Sequence, residues 1–552
     1  MTGEYEKAAI PSPAWWVRIF IALGYLGLLV VDPLNVGSGS GQRSEQALLR
    51  IASPFYRTSG DVTVILIDDD YLKQRGSGWP MSYREQGLLL RRILSYEPSA
   101  LFVDLLYRHR HGRGEANAAE DEPLDLLRPL ASATDKQVPV LFAALSVESA
   151  AGMSQDSCTG TTGGISAGTQ IDPQSIEPTL RPWLGLEPEA GPERTATAPS
   201  GPRFAVAPVG WTGCAGSYPL QLAGSASAST PAMAMYTQLC DAGMDAPGCS
   251  SAARGASRRG AFSRPMIIRW GAYAPVTQSP FYAADVCQQY EDAAHPLPIL
   301  SRMGMALRQF ALGAIVDLRS TGNPALALPC PAIPVLRADT VIDGEETRMR
   351  ELLHGKAVFV GARVSGIPDW IQSPVHGQVP GVVLHAMALD NLLSRGGSYT
   401  KPMPSDVSRW IMVVLACSVA LLAPWLVARK PLFNELTRAG IGLGLWAGYA
   451  VVLALHGHYL KAAAVLGIGA LFDLMKPLET FRYLWLILAM AVLAFLALAS
   501  GWSPWNWIGL AFVVVATLET FKAYLKHSAA KPFPHPASLL LRAAARSGSR
   551  ST

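Results

Sequence analysis

The distribution of apolar residues along the chain constrains its fold more than any other feature of the sequence. From Trp410 to Phe521 the residues are nearly all apolar, whereas residues 32–405 have the mixed composition of a water-exposed domain. Only 16% of all residues are charged, and the deficit is concentrated in the C-terminal part. The sequence therefore predicts one large soluble domain joined to a helical membrane part.

The charged residues that flank the apolar runs predict the topology. Residues 14–31 form an apolar run without a small-residue cleavage site after it, which indicates an uncleaved signal anchor. Residues 409–521 contain about five further runs, of which 461–475 is short, so that a hairpin there would change the count of spans by two. Basic residues in the loop near 430 and in the tail 522–552 place these segments, and residues 1–13, in the cytoplasm. Residues 32–405 are then periplasmic, and the protein is expected in a bacterial inner membrane as a multi-pass protein.

Cysteine usage indicates an oxidising compartment for the soluble domain. Six of the seven cysteines lie in this domain, and only Cys417 lies in an apolar run. An even set of six is typical of three disulfides, although six free buried thiols are the alternative. The shortest loop joins Cys240 and Cys249, which we therefore expect to be paired. The candidates are Cys158, Cys214, Cys240, Cys249, Cys287 and Cys330.

The soluble domain begins with alternating strand and helix patterns. Residues 62–67 and 138–145 are apolar runs of strand length, and Ala100–Leu106 is another, while 83–96 has apolar residues at helical spacing. Strands that are apolar on both faces are typical of a parallel or mixed sheet covered by helices, which predicts an α/β fold. Residues 146–263 lack this periodicity and are rich in Gly, Ala, Ser, Pro and Thr. This segment is predicted to be a loop-rich, disulfide-stapled insertion.

Three segments of the domain together resemble the type-two CHASE family, the cyclases/histidine kinases associated sensory extracellular domains. Their order and spacing carry the resemblance, which covers about 40–400 with the insertion as a gap. The segments are Ile65–Leu72 with Gly78-Trp79-Pro80, Ala100–Tyr107, and Gly355–Gly361 followed by Asp369, Ser373-Pro374, Pro380–Ala386 and Leu392-Leu393. The resemblance implies a periplasmic sensory domain. The chain departs from the family pattern after the membrane part. A cyclase or kinase output domain usually follows there in the family, whereas a short basic tail follows here.

Acidic residues at the predicted strand ends are the leading candidates for ligand binding. Asp68, Asp69, Asp70 and Asp104 follow two strands, and ligands of open α/β sheets bind at the carboxyl ends of the strands. These carboxylates would bind a cation or the hydroxyl groups of a ligand, but capping of helices and turns is the alternative role. The candidate set also includes Trp79, Asp369 and His385. The alternative for Trp79 is a rigid turn with a packed indole, and the alternative for His385 is a histidine of the core.

The sequence contains no HExxH motif or kinase signature, and no Cys/His cluster with the spacing of metal ligands. We therefore expect no catalytic residues, metal or cofactor, and a protein that is not an enzyme. The small net charge of +4 and the absence of a basic stripe argue against nucleic-acid binding. Two functions stay open: a sensor that acts in trans through other subunits, or a structural scaffold of an envelope complex. The expected partners are the lipid bilayer, other envelope or membrane proteins, and further copies of this chain.

Overall fold

A computed structural model describes residues 22–27, 36–108, 122–133, 138–145, 171–186, 204–209, 217–220, 229–249, 264–271, 332–366, 369–402 and 482–502. It also describes single residues and short stretches at 262, 304, 407–418 and 506–520. The chain divides into two compact units. The first comprises 1–44, 404–494 and 505–552, and the second comprises 45–403 and 495–504. In the first unit, the indole of Trp507 donates to the carbonyl oxygen of Ser44 over 3.1 Å.

The second unit is built on a six-stranded sheet in the order β4-β3-β2-β8-β1-β7, with all neighbouring strands parallel. These strands are β1 Val62–Asp68, β2 Ala100–Val103, β3 Val140–Leu145, β4 Ala205–Val209, β7 Val335–Arg337 and β8 Ala357–Arg363. Two antiparallel pairs accompany the sheet: β5 Ser217–Tyr218 with β6 Met266–Ile267, and β9 Trp370–Ser373 with β10 Gly377–Pro380. The parallel α/β sheet predicted from the apolar runs is confirmed.

Both faces of the sheet are covered, which explains why its strands carry apolar residues on both faces. Val62, Val64 and Leu66 of β1 face one hydrophobic core, and Ile65 and Ile67 face the other. This alternation follows from the two-residue period of a strand. The helices are α1 Val36–Ala52, α2 Asp69–Gln74, α3 Tyr83–Leu94, α4 Leu124–Ala133, α5 Pro231–Asp241, α6 Ala338–Asp343, α7 Glu346–Leu353, α8 Gly381–Arg395 and α9 Arg482–Ala499.

Helix α8 lies across one face of the central strands and runs from the carboxyl ends of these strands towards their amino ends. Its first turn packs on the end of β8, where a Cβ atom added to Gly361 would lie 2.5 Å from Cγ1 of Val382. Its later part reaches Ser59, just before the start of β1. Gly361 is therefore not part of a turn after the strand. It lies inside β8, at a position where the helix approaches the sheet closely.

The segment 146–263 contributes more regular structure than its composition indicates. Strand β4 forms one edge of the sheet, and α5 packs against α8 through Met235 and Leu239 in the first core. Because α5 begins with Pro231 after Thr230 and contains few large apolar residues, its helical period is weak in the sequence. The description of this segment as an insertion made of loops is therefore incomplete.

Cys240 and Cys249 form a disulfide with Cα atoms 5.1 Å apart, as expected for the shortest loop. Cys417 is a free cysteine. The other four candidates, Cys158, Cys214, Cys287 and Cys330, lie outside the described residues.

Among the helices of the described residues, none is both long enough and apolar enough to cross a membrane. Most of the predicted segments 14–31 and 409–481, and the tail 522–552, lie outside the described residues.

Candidate functional site

The carboxyl ends of β1, β2 and β8 meet at one edge of the sheet, and the candidate acidic residues follow two of these strands. Asp68 ends β1, and Asp104 comes directly after β2, where its backbone N–H donates to the carbonyl oxygen of Val360 over 2.7 Å. Helix α8 begins next to these strand ends, directly after β10. The sheet therefore brings strand ends and a helix start together, which is the usual ligand edge of an open α/β fold.

Asp104 and His385 form a buried pair at this edge. Oδ2 of Asp104 lies 3.8 Å from Nε2 of His385, and the side chains are only 10% and 7% exposed. The ring of Phe102 lies edge-on to the imidazole with centroids 5.7 Å apart. Two residues that are 281 positions apart in the sequence (385 minus 104) are thus placed side by side by β2 and α8.

The other nitrogen of His385 contacts a residue that the sequence did not single out. The hydroxyl of Tyr218 in β5 lies 2.9 Å from Nδ1 of His385 and accepts a hydrogen bond from the backbone N–H of Ala232 over 3.3 Å. Because the Tyr218 oxygen already accepts, its proton is available to Nδ1. This arrangement favours the tautomer in which Nε2 carries the proton and faces Asp104.

Burial disfavours charge on Asp104 and His385. Desolvation, and then the nearby charge of Asp369, raises the pKa of Asp104 well above its ordinary value. Desolvation lowers the pKa of His385 to about 3, so its imidazole is neutral. Burial also raises the pKa of Asp369 to about 6, against the opposing hydrogen bond from the N–H of Gly381.

Asp369 lies over the start of α8, at the more solvent-exposed side of the cluster. The N–H of Gly381 donates to its carbonyl oxygen over 3.0 Å, and a Cβ atom on Gly381 would collide with its carboxylate. Gly381 is the first residue of α8, and its missing side chain makes room for Asp369. Asp369, Asp104 and His385 together offer hydrogen-bond donors and acceptors, which suits a polar ligand or the uptake of a proton.

The acids at the end of β1 have protein partners. Asp68 caps α2 by accepting from the N–H of Tyr71 over 2.8 Å, and its Oδ2 lies 3.1 Å from Nε of Arg337. Nη2 of Arg337 lies 3.3 Å from both Asp70 and Asp339. Capping, the alternative role open in the sequence, is thus what Asp68 does within the fold.

Asp69 is held by a different partner. Its carboxylate accepts from the N–H and the hydroxyl of Ser365, and these hydrogen bonds lower its pKa. Trp79 precedes a cis peptide bond to Pro80 and packs, half-buried, against the second core. Within the described contacts, neither residue joins the Asp104–His385 cluster.

A second buried polar group lies at the opposite, amino edge of the sheet. The carboxylate of Asp390 in α8 is fully buried and accepts from Tyr56, Thr58, and both the N–H and the hydroxyl of Ser59, at distances of 2.6–2.8 Å. These bonds tie α8 to the segment that leads into β1. The signal for this residue in the sequence is its position as an acid in an otherwise apolar helix.

No group of three or more His, Cys, Asp or Glu side chains within the described ranges is arranged to hold a metal ion. The candidate site is therefore defined by hydrogen-bonding groups and by shifted pKa values.

A parallel α/β sheet covered on both faces, with a polar cluster at the carboxyl ends of its strands, defines the class of this protein as an α/β domain. The family model of the CHASE2 domain matches residues 29–422, which is well over half of the chain. The chain therefore belongs to the CHASE2 family, as its three segments indicated, and carries a sensory domain of the extracellular type. Comparison with curated proteins and with solved structures returns no match.

Proposed function

We propose that this chain is an integral protein of a bacterial inner membrane whose periplasmic CHASE2 domain binds a ligand or a protein partner at the carboxyl edge of the sheet. The observation that carries the proposal is the buried pair of Asp104 and His385, with the more exposed Asp369 near Asp104. Burying ionisable groups costs stability, and shifted pKa values of this kind concentrate at functional sites.

The periplasmic location is supported by the Cys240–Cys249 disulfide, by the basic flanks of the apolar runs, and by the extracellular character of the family. Alkaline phosphatase, which is active only outside the cytoplasm, tests it. Fusion after Leu393 should give an active reporter, and fusion after Tyr524 an inactive one. The reverse pattern would overturn the topology.

The chain acts in trans in this proposal and has no catalytic activity of its own. Support comes from the absence of an HExxH motif and of a kinase signature in its 552 residues. The signal would pass to other envelope or membrane proteins, or between copies of this chain, through the bilayer-embedded helices predicted at 409–521.

A scaffold in an envelope complex is the second candidate function. The pairing of Asp68, Asp70 and Asp339 with Arg337 favours it, because these acids stabilise the edge of the sheet and are not available to a ligand without breaking ion pairs. A rigid edge of this kind is suited to a fixed protein contact.

Replacement of Asp104 by Asn separates the two functions. Because an amide has nearly the same size and shape as a carboxyl group, Asp104→Asn should preserve the fold while changing the pattern of donors and acceptors. A sensor predicts that a strain with Asp104→Asn has the transcript profile of a deletion strain while the amount of folded protein is unchanged. The matched control is Asp343→Asn, an exposed acid paired only with Arg75, which should behave like wild type.

If folded Asp104→Asn protein also supports a wild-type profile, the cluster has no role in sensing. The scaffold then becomes the better account of the domain.

A further inference from the structure

Arg269 is a buried arginine without an acidic partner. Its residue is 8% exposed, and its Nε atom is buried without a hydrogen bond. The backbone around it is fixed, because the side chain of Asn391 accepts from its N–H over 3.0 Å and donates to its carbonyl oxygen over 3.1 Å. Among the described residues, no carboxylate lies within ion-pair distance of its guanidinium group.

A second arginine lies beside it. Arg395 is half-buried and follows Asn391 by four residues in α8, so both side chains project from the same face of the helix. Since Asn391 holds Arg269, Arg395 is brought next to it. Burial first, and then the positive charge of Arg395, lowers the pKa of Arg269 to about 10. Both guanidinium groups remain charged at neutral pH, and no ion pair of Arg395 occurs in the described part of the chain.

Asp390, the nearest acid in α8, does not neutralise this charge. Its Oδ2 accepts from the hydroxyl of Tyr56, and its Oδ1 accepts from Thr58 and Ser59. Tyr56 donates its proton to Asp390 over 2.6 Å, so the hydroxyl of Tyr56 is already committed to this acid.

Arg337 shows how this fold treats a partly buried arginine that has a structural role. Its side chain is 27% exposed and is surrounded by the carboxylates of Asp68, Asp70 and Asp339. The more deeply buried Arg269 has a second positive charge beside it instead. A buried charge without a counterion is strongly unfavourable, so an anion that reaches these two side chains would stabilise the domain.

We propose that Arg269 and Arg395 form an anion site at the amino edge of the sheet that binds a phosphate group. Two planar guanidinium forks offer more donors than one carboxylate can accept, whereas a phosphate group has oxygens for both. The group belongs either to free inorganic phosphate or to the headgroup of an anionic phospholipid. This site is separate from the Asp104–His385 cluster and stands whether the domain is a sensor or a scaffold.

Thermal unfolding of the full chain in an uncharged detergent, with inorganic phosphate as the probe at constant ionic strength, tests the site. A ligand that binds only the folded state raises the melting temperature progressively with its concentration. The wild type should show this rise, and acetate should produce a smaller one. Arg269→Met and Arg395→Met should abolish the phosphate response, or weaken the apparent affinity about tenfold or more, as loss of a charge-assisted bidentate contact does.

Arg337→Met is the matched control. It should melt at a lower temperature in phosphate-free buffer, because it leaves three carboxylates without their cation, and should keep the phosphate response. Arg269→Met should not lose stability in phosphate-free buffer, since no protein partner is removed. If Arg269→Met is too poorly folded to study, Arg395→Met alone decides, because its half-buried side chain can be replaced more easily.

Nanodiscs distinguish the two sources of the phosphate group. A response to inorganic phosphate in phosphatidylcholine nanodiscs identifies a free anion, and a response that requires phosphatidylglycerol identifies a lipid headgroup. Equal responses of wild type, Arg269→Met and Arg395→Met would overturn the site, as would a wild type that responds to neither source or responds equally to acetate.

Discussion

The hydroxyl of Tyr218 lies 2.9 Å from Nδ1 of His385, a contact between residues 167 positions apart. Through this contact, the segment that looked like an insertion completes the polar cluster at the carboxyl edge. Tyr218→Phe removes the hydroxyl from both Nδ1 and the N–H of Ala232, and should lower the free energy of unfolding by about 1–3 kcal/mol. Urea unfolding of the purified chain measures this change.

Tyr96→Phe is the control for that variant, because Tyr96 is equally buried but its hydroxyl contacts the carbonyl oxygen of Val341 only at 3.4 Å. Tyr96→Phe should lower the free energy of unfolding clearly less than Tyr218→Phe does. Equal losses would mean that the Tyr218–His385 contact contributes nothing of its own.

Two aspartates should change the stability of the domain in opposite directions with pH. The pKa of Asp369 is raised to about 6, so the folded state binds more protons than the unfolded state between the ordinary value near 3.8 and 6. Its contribution is most favourable in acid and is lost as pH rises through 6. Asp369→Asn removes this loss, and should unfold at a higher temperature than wild type at pH 7 but not at pH 4.

Asp69→Asn should change the pH dependence of stability in the opposite direction. The hydrogen bonds from Ser365 lower the pKa of Asp69, so its contribution is present above the ordinary value and disappears as pH falls through the folded value. This variant should melt below wild type at pH 7. Parallel shifts of the two variants would contradict the assigned pKa directions.

The Cys240–Cys249 disulfide should stabilise the end of α5 where it packs near α8. Loop-closure entropy for a bridge of this span predicts that the double variant Cys240→Ser, Cys249→Ser loses roughly 2–3 kcal/mol of unfolding free energy. Mass spectrometry of non-reduced peptides should recover the 240–249 pair from wild type. Cys417→Ser should leave the stability unchanged, and a free thiol at Cys240 would refute the bridge.

Asp390 should be among the most sensitive acids in the domain. It is fully buried and accepts four hydrogen bonds from the segment before β1, so Asp390→Asn exchanges one acceptor oxygen for a donor that faces donors. We expect a loss of about 1.5–3 kcal/mol, as for hydrogen bonds to charged groups. The exposed Asp343→Asn should stay within about 0.5 kcal/mol of wild type, and a similar value for Asp390→Asn would exclude this role.

The elements that could be predicted from the sequence are those whose own residues carry a strong period. Strands β1 and β8 are continuous apolar runs, and α3 combines helical spacing with a capping box in which Ser82 and Glu85 bond each other's backbone. Strand β7 has only three residues, and α5 contains small residues with little periodicity. Their structure depends on packing against distant elements, which a local pattern does not contain.

The candidate site was predictable to the same extent. Asp104 follows a strand and His385 interrupts an apolar helix, so both residues could be recognised and placed near the carboxyl edge. Their pairing depends on the sheet order, which the sequence leaves open. Tyr218 lies in a segment without a clear pattern, whereas Arg269 lies in a run, Pro265–Trp270, that reads as a strand. The contacts of both residues appear only when β5, β6 and α8 are assembled.

The position of β8 between β1 and β2 has a consequence for biosynthesis. During synthesis the chain presents β1 about 290 residues and β2 about 250 residues before β8, which begins at Ala357, becomes available to fill the gap between them. Until then, two apolar strands expose unpaired backbone groups that invite incorrect pairing and aggregation. The nascent domain therefore depends on protection by other factors until β8 has emerged, and a truncation before Ala357 should yield insoluble protein rather than a smaller folded unit.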